Sequence, residues 1–243
     1  MLCIATPLHC LAQAPDATAL LAKLRANAEA YQAHLPSVAC REHITSQVTR
    51  GGKVALSKDV DDLVRVLRRP GAYPAAEEQR VALTPAGELD EGRRPPQLPL
   101  MLSDGFFAGQ SFFLDAGRMA CIDFSVDDSG SKIRLDFKRK PNAQLDAGCR
   151  INDQGLEGSV LVDRATGEMV YQRRSVTMAS ANAERRATYA EITYKPVVLG
   201  NETFSLPLRV YAEFGTDFRY TATYSGCKRF TANSRILDVE PPQ

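Results

Sequence analysis

The 243 residues carry 30 Lys and Arg against 29 Asp and Glu, a formal charge of +1 at pH 7. That balance gives no electrostatic basis for nucleic acid or a strongly anionic membrane as partner. Hydrophobic residues make up 44% of the chain, aromatics 7%, and Trp is absent, a length and composition that fit one large domain or two smaller ones.

The chain opens on an apolar stretch, Leu2, Ile4, Ala5, Leu8, Leu11 and Ala12, that ends in Leu11-Ala12-Gln13-Ala14 before Pro15-Asp16. An apolar run followed by small residues reads as the tail of a secretory signal peptide. Its basic n-region is missing, which a start codon placed too far downstream would explain. The expectation is residues 1–14 as a truncated signal peptide, cleavage after Ala14, and residues 15–243 as a single soluble, mostly β domain in the periplasm or secreted. His9 precedes Cys10, where a lipid-anchored cysteine would need a small residue. No other window approaches the roughly 20 apolar residues of a membrane helix.

Residues 17–35 place Leu20, Leu21, Leu24, Ala28, Tyr31 and Leu35 at helical spacing, with Pro36 as the stop. From Val38 the period becomes two, and Gly51-Gly52 predicts a hairpin into a second strand over 54–68. The alternation breaks at 59–62, which allows a bulge or a short helix. Residues 69–105 are punctuated by Pro and Gly and read as an irregular excursion, with only 80–84 strand-like and 101–107 a short helix or buried turn. Strands are expected at 111–114 and 119–126, then at 132–140, 156–162, 169–178 and 186–198. The clearest strand is 204–214, which predicts Phe204, Leu206, Leu208, Val210, Ala212 and Phe214 on one face. Phe218, Tyr220, Ala222 and Tyr224 share a face of the next strand, and 235–239 closes the series. Short turns between successive strands imply antiparallel neighbours.

Export changes the meaning of the cysteines. Without Cys3 and Cys10, the mature chain keeps Cys40, Cys121, Cys149 and Cys227. Four cysteines allow three pairings, and their wide spacing argues against a redox pair or a zinc knuckle. Two structural disulfides are expected. Cys121 with Cys149 across neighbouring strands is preferred, which leaves Cys40 with Cys227.

The order of elements resembles the LolA-like periplasmic lipoprotein carriers and their RseB-type relatives. The local motifs are similar to those of a group of uncharacterised secreted bacterial proteins. These motifs are Val160-Leu161-Val162-Asp163-Arg164-Ala165-Thr166-Gly167-Glu168, Tyr194-Lys195-Pro196-Val197-Val198-Leu199-Gly200, Phe204-Ser205-Leu206-Pro207 and Tyr224-Ser225-Gly226-Cys227-Lys228-Arg229-Phe230. They cover mainly 156–240 and carry no chemistry. The resemblance implies an α+β fold in which a strongly curved antiparallel sheet, a half-barrel, holds the N-terminal helix on its concave face. The excursion at 69–105 and the four cysteines depart from the plain carrier pattern.

Catalytic signatures are sparse. Only His34 and His43 remain after cleavage, and neither has a visible partner for metal or nucleophile chemistry. Ser111 and Ser225 lack a nucleophile-elbow pattern. Asp123 and Asp136 could face one another on adjacent strands, but pairing with Arg134 or Lys138 explains them more simply. Asp127-Asp128-Ser129-Gly130 lacks the later ligands of a calcium loop and reads as a turn. No cofactor or metal is expected. The candidate ligand surface is therefore the apolar strand face, Phe204, Leu206, Leu208, Val210, Phe214, Phe218, Tyr220 and Tyr224, with core packing as the competing use of the same residues. It implies a non-catalytic binding protein for a lipid, lipoprotein or other apolar ligand. An envelope protein-protein interaction or sensory module, and a hydrolase with an unrecognised site, are the alternatives.

Overall fold

The structure is a computed structural model that describes residues 17–69, 76–84, 86–90, 106–107, 112–114, 116–128, 130–141, 154–179 and 185–230. The expected signal peptide, the strand at 235–239 and Cys149 lie outside these residues.

Helix α1 (Ala17–His34) ends just before Pro36. Strands β1 (Val38–Arg50) and β2 (Lys53–Arg68) follow, joined at Gly51-Gly52, both with positive φ. β3 (Ala76–Ala82) comes next, earlier in the chain than expected. A 3-10 turn (Phe112–Leu114) and a short helix α2 (Ala116–Met119) stand where a strand was expected at 111–114. Then come β4 (Ile122–Asp127), β5 (Lys132–Arg139), β6 (Gln154–Asp163) and β7 (Met169–Ala179). β8 (Arg185–Leu199), β9 (Glu202–Phe214) and β10 (Phe218–Arg229) complete the set.

All are joined in one ten-stranded antiparallel sheet, in the order β3-β2-β1-β10-β9-β8-β7-β6-β5-β4. This corrects the expected half-barrel. β3 and β4 are the two ends of an open sheet, and it is neither closed nor strongly curled. Alternation in a sequence tells which residues share a face, but not how far strands coil about one another, which depends on twist and bulges. The α+β class and the single N-terminal helix stand.

β1 lies next to β10, so the first and last of the described strands meet in the interior of the sheet. The Cys40–Cys227 disulfide fastens that junction, at the register shift where Ala39 pairs Lys228 and Arg41 pairs Ser225. It spans 187 residues of sequence, and closing so long a loop contributes about 4 kcal/mol or more, chiefly by restricting the unfolded chain. Cys121 is disulfide-bonded as well.

One face of the sheet is covered. Leu135, Val160, Gln172, Ile192, Val210, Ala222 and Ile44 pair in succession from β5 to β1, and all seven are buried. The helix is not the whole cover. Phe106 stacks on Tyr220 with ring centroids 6.4 Å apart, Phe107 meets Tyr224 edge-on at 5.1 Å, and Phe113 stacks on Phe137 at 4.6 Å. Phe137 in turn lies against Gly158, where an added Cβ would come within 2.4 Å of its ring and 2.2 Å of the Arg173 carbonyl oxygen. Glycine therefore lets strand and ring approach to packing distance.

Candidate functional site

The apolar surface proposed from the sequence divides into parts. Phe204, Leu206, Val210, Tyr220 and Tyr224 are buried, whereas Phe214 and Phe218 are partly exposed. The single alternation along β9 is corrected. Val210 pairs with Ile192 but Leu206 pairs with Lys195, because β9 carries one extra residue between them. The regular alternation is interrupted at this bulge, while Leu206 and Val210 on either side of it both stay in the core. Leu208 sits at this bulge and is 36% exposed. Tyr220 and Tyr224 are covered by Phe106 and Phe107. Sequence reasoning missed these aromatic covers, although two adjacent Phe residues in a Pro-rich stretch were an available signal.

Phe204 is different, because it borders open space. A cleft of about 390 Å³ runs beside α1, walled by Leu24, Ala28, Tyr31, Leu114, Met169 and Phe204. Its polar members are Asn27, His34, Thr166, Glu168, Glu202, Thr203 and Ser205. Three local devices shape it. The Asp163 carboxylate accepts hydrogen bonds from the backbone N–H groups of Ala165 and Thr166, each at 3.0 Å, and so shapes the β6–β7 turn. Gly167, at φ +73°, ends that turn, and Asn27 of α1 donates to its carbonyl oxygen at 2.9 Å. Ser205 donates to the Met169 carbonyl at 2.8 Å, which holds β9 against the same turn. At the far end of the helix, Arg68 donates to the Ala33 carbonyl oxygen.

The covered face also holds charge that the sequence reading did not place. Glu42 and Asp62 are directly paired and buried. Arg80 donates to Glu42 through two nitrogens, at 2.6 and 2.8 Å, with the two side chains only 3% and 0% exposed. Burial would lower the Arg80 pKa, but the hydrogen bonds and charge of Glu42 hold it above its ordinary value. Burial, then the charge of Glu42, pushes the Tyr220 and Tyr224 phenols well above their usual range. Asp62 explains the broken alternation at 59–62. The strand continues without a bulge there, and a carboxylate occupies an inward position. Along the same face, Tyr194 donates to Gln172 at 3.1 Å, and burial lowers the Arg174 pKa.

The opposite face is polar and compensated. Asp123, Lys138, Glu157, Ser175, Tyr189, Glu213, Arg219, Gln47 and Ser57 pair in succession from β4 to β2. Asp123 thus faces Lys138, and Asp136 bonds Arg134 at 2.8 Å, so the two carboxylates do not form an acid–base couple. His43 pairs with Asp61 at 2.8 Å. Two wider depressions on this side, of about 690 and 730 Å³, are lined mainly by such groups. The helix cleft is singled out because apolar side chains of α1, the 3-10 turn, β7 and β9 share its wall, with about as many polar groups beside them. Among the described residues, no three His, Cys, Asp or Glu side chains converge on a metal position, and no helix is long and apolar enough to cross a membrane.

No protein-family model matches the sequence, and no curated protein does. Solved structures align with the chain at low identity. A Vibrio parahaemolyticus domain named for outer membrane lipoprotein sorting aligns with 92% of this chain and 97% of its own, at a TM-score of 0.50 and 9% identity. A DUF1329 family protein from Desulfovibrio piger aligns with 89% of this chain and 94% of its own, at 0.44 and 8% identity. A LolA superfamily protein from Nitrosomonas europaea aligns with 90% and 96%, at 0.38 and 10% identity. The first likeness establishes the class at the level of fold, a helix laid on a broad antiparallel sheet. It is a likeness of structure and not of sequence.

Proposed function

We propose that this chain is a non-catalytic binding protein for an acylated, apolar ligand, exported to the periplasm or beyond, and that the ligand enters the cleft beside α1. The observation that carries this reading is the apolar wall of Leu24, Ala28, Tyr31, Leu114, Met169 and Phe204 around about 390 Å³. That volume lies in the usual range for small-molecule sites. Each methylene buried there contributes about 0.8 kcal/mol before ordering costs. The fold shared with a lipoprotein-sorting domain supports the choice of an acyl chain. The opening residues, read as an export signal, support the compartment. Of the eight residues first proposed, Phe204 alone lines this cleft, Leu206, Val210, Tyr220 and Tyr224 belong to the core, and Leu208, Phe214 and Phe218 are at least partly exposed.

Native mass spectrometry of the protein isolated from the cell envelope tests the reading. An acylated species should copurify and be lost in Ala30→Trp, since Ala30 is exposed on the cleft wall and a large ring there fills it. A ligand-free protein that also fails to take up acyl esters in solution would overturn it.

A further inference from the structure

Three half-buried tyrosines gather around one carboxylate on the outer face of the sheet. Register sets Arg173, Glu191 and Tyr211 side by side on β7, β8 and β9. Ser175, Tyr189 and Glu213 form the next row on that face, and Tyr171, Thr193 and Arg209 the row on the other side. Tyr189 donates its hydroxyl to Glu191 and Tyr211 donates to Glu213, each two residues along its own strand. A strand side chain ordinarily stands off the sheet, so a tyrosine that reaches the next residue on its face lies down along the strand. The two rings meet edge to face, with centroids 6.4 Å apart and planes at 71°. Burial, then the hydrogen bond and charge of Glu191, pushes the Tyr189 phenol above its usual range, and burial, then Glu213, does the same for Tyr211.

With their hydroxyls committed, these tyrosines offer a ligand ring surface. The nearby charges are matched as well, since Glu191 lies directly opposite Arg173 and Glu213 meets Arg219 at 3.3 Å. A depression of about 690 Å³ opens beside Tyr189 and runs past Arg173, Ser175 and Glu157 toward Lys138 and Asp123. That volume is in the usual range for small-molecule sites.

The surroundings narrow what such a surface takes. β7, β8 and β9 are interior strands, paired on both sides, so an extended peptide finds no open edge for strand addition. A sulfate- or phosphate-rich chain would find Arg173 and Arg219 already matched by Glu191 and Glu213. A pyranose ring has an apolar C–H face to lay on an aromatic ring and a rim of hydroxyls that both donate and accept. We propose that this face is a carbohydrate site. Tyr189 and Tyr211 carry one sugar ring of a neutral oligosaccharide, Glu191 and Arg173 bond its hydroxyls, and the chain continues into the depression past Ser175 and Glu157. The site shares no wall with the helix cleft.

Calorimetric titration of the full chain tests this with chitotetraose, a sulfated heparin tetrasaccharide and a blocked Ser-Gly octapeptide. Chitotetraose should bind saturably and tightest, with an affinity that changes less than about twofold between low and high salt, because the ligand is uncharged. Tyr189→Ala with Tyr211→Ala should weaken it about tenfold or more. Tyr189→Phe with Tyr211→Phe keeps both rings and should stay within about threefold. Ala30→Trp, which fills the helix cleft, should leave it unchanged. Circular dichroism checks that each variant is folded. Tighter binding of the sulfated chain or the peptide overturns the carbohydrate assignment, and so does a folded protein that binds none of the three. A chitotetraose affinity unmoved by removing both rings, or lost as fully in the Phe pair as in the Ala pair, overturns it too. Each of these results leaves the acyl-ligand reading of the helix cleft where it stands.

Discussion

The outer and covered faces of the sheet both carry charge on neighbouring strands, but in different surroundings. On the outer face Glu213 meets Arg219 at 3.3 Å, with both side chains reaching solvent. On the covered face Glu42 and Arg80 form a two-pronged pair almost without exposure. The outer pairs align strands at little cost, because water serves either partner if the other is removed. The buried pair is locked, because each member needs the other. Register on the outside is set by many weak contacts, and on the inside by a few that tolerate no loss.

The largest effect should come from Arg80→Met, which leaves Glu42 buried without its cation. Denaturant unfolding should show a loss of about 3–5 kcal/mol, and removing the acid as well, with Glu42→Leu, should recover much of it. If the single substitution costs no more than a surface change, the contrast between the faces fails. Gly158→Ala should cost about 1–3 kcal/mol, since its Cβ has no room beside the Arg173 carbonyl and the Phe137 ring. Thermal unfolding measures this, and a neutral result would mean that strand and ring have more freedom than their contact implies. Glu213→Ala should shift stability by no more than about 1 kcal/mol.

The smallest expected effect is a pH dependence at the helix cleft. Glu168 has a raised folded pKa. The folded state therefore holds its proton where the unfolded state has released it. This contribution is fully present below the unfolded value and is lost as pH rises through the folded one. Glu168→Gln should flatten the stability profile over that acidic window. An unchanged profile would show that the carboxyl is better solvated than its burial suggests.

Much of the strand order was legible because turns advertise themselves. Gly51-Gly52, Asp163 to Gly167, Gly200-Asn201 and Gly215 mark hairpins that the structure contains, and alternation gave the faces of β5 and β10. The disulfide between Cys40 and Cys227 was reachable by counting cysteines. What escaped the sequence depends on tertiary context. Asp62 looked like a break in a strand because nothing local marks a carboxylate as taking an inward position. The bulge at Leu208 interrupts an alternation that six residues had seemed to settle, and turns that side chain out of the core. Phe106, Phe107 and Phe113 lie in a stretch without periodicity, so nothing local shows that they close over Tyr220, Tyr224 and Phe137. The open sheet itself replaced a half-barrel, because strand pairing is local and coiling is not. The cleft was illegible for the same reason, its wall being drawn from α1, the 3-10 turn and two hairpins.

The absence of Trp from the chain permits a direct test of that cleft. Thr203 is exposed on its rim, and a Trp in its place would be the sole indole in the protein. Titration of Thr203→Trp with an acyl ester brominated along its chain should quench the fluorescence saturably, and an unbrominated ester should reverse the quenching. A folded protein whose indole is untouched by the brominated chain, at concentrations where the ester is monomeric, would contradict an acyl site beneath the helix.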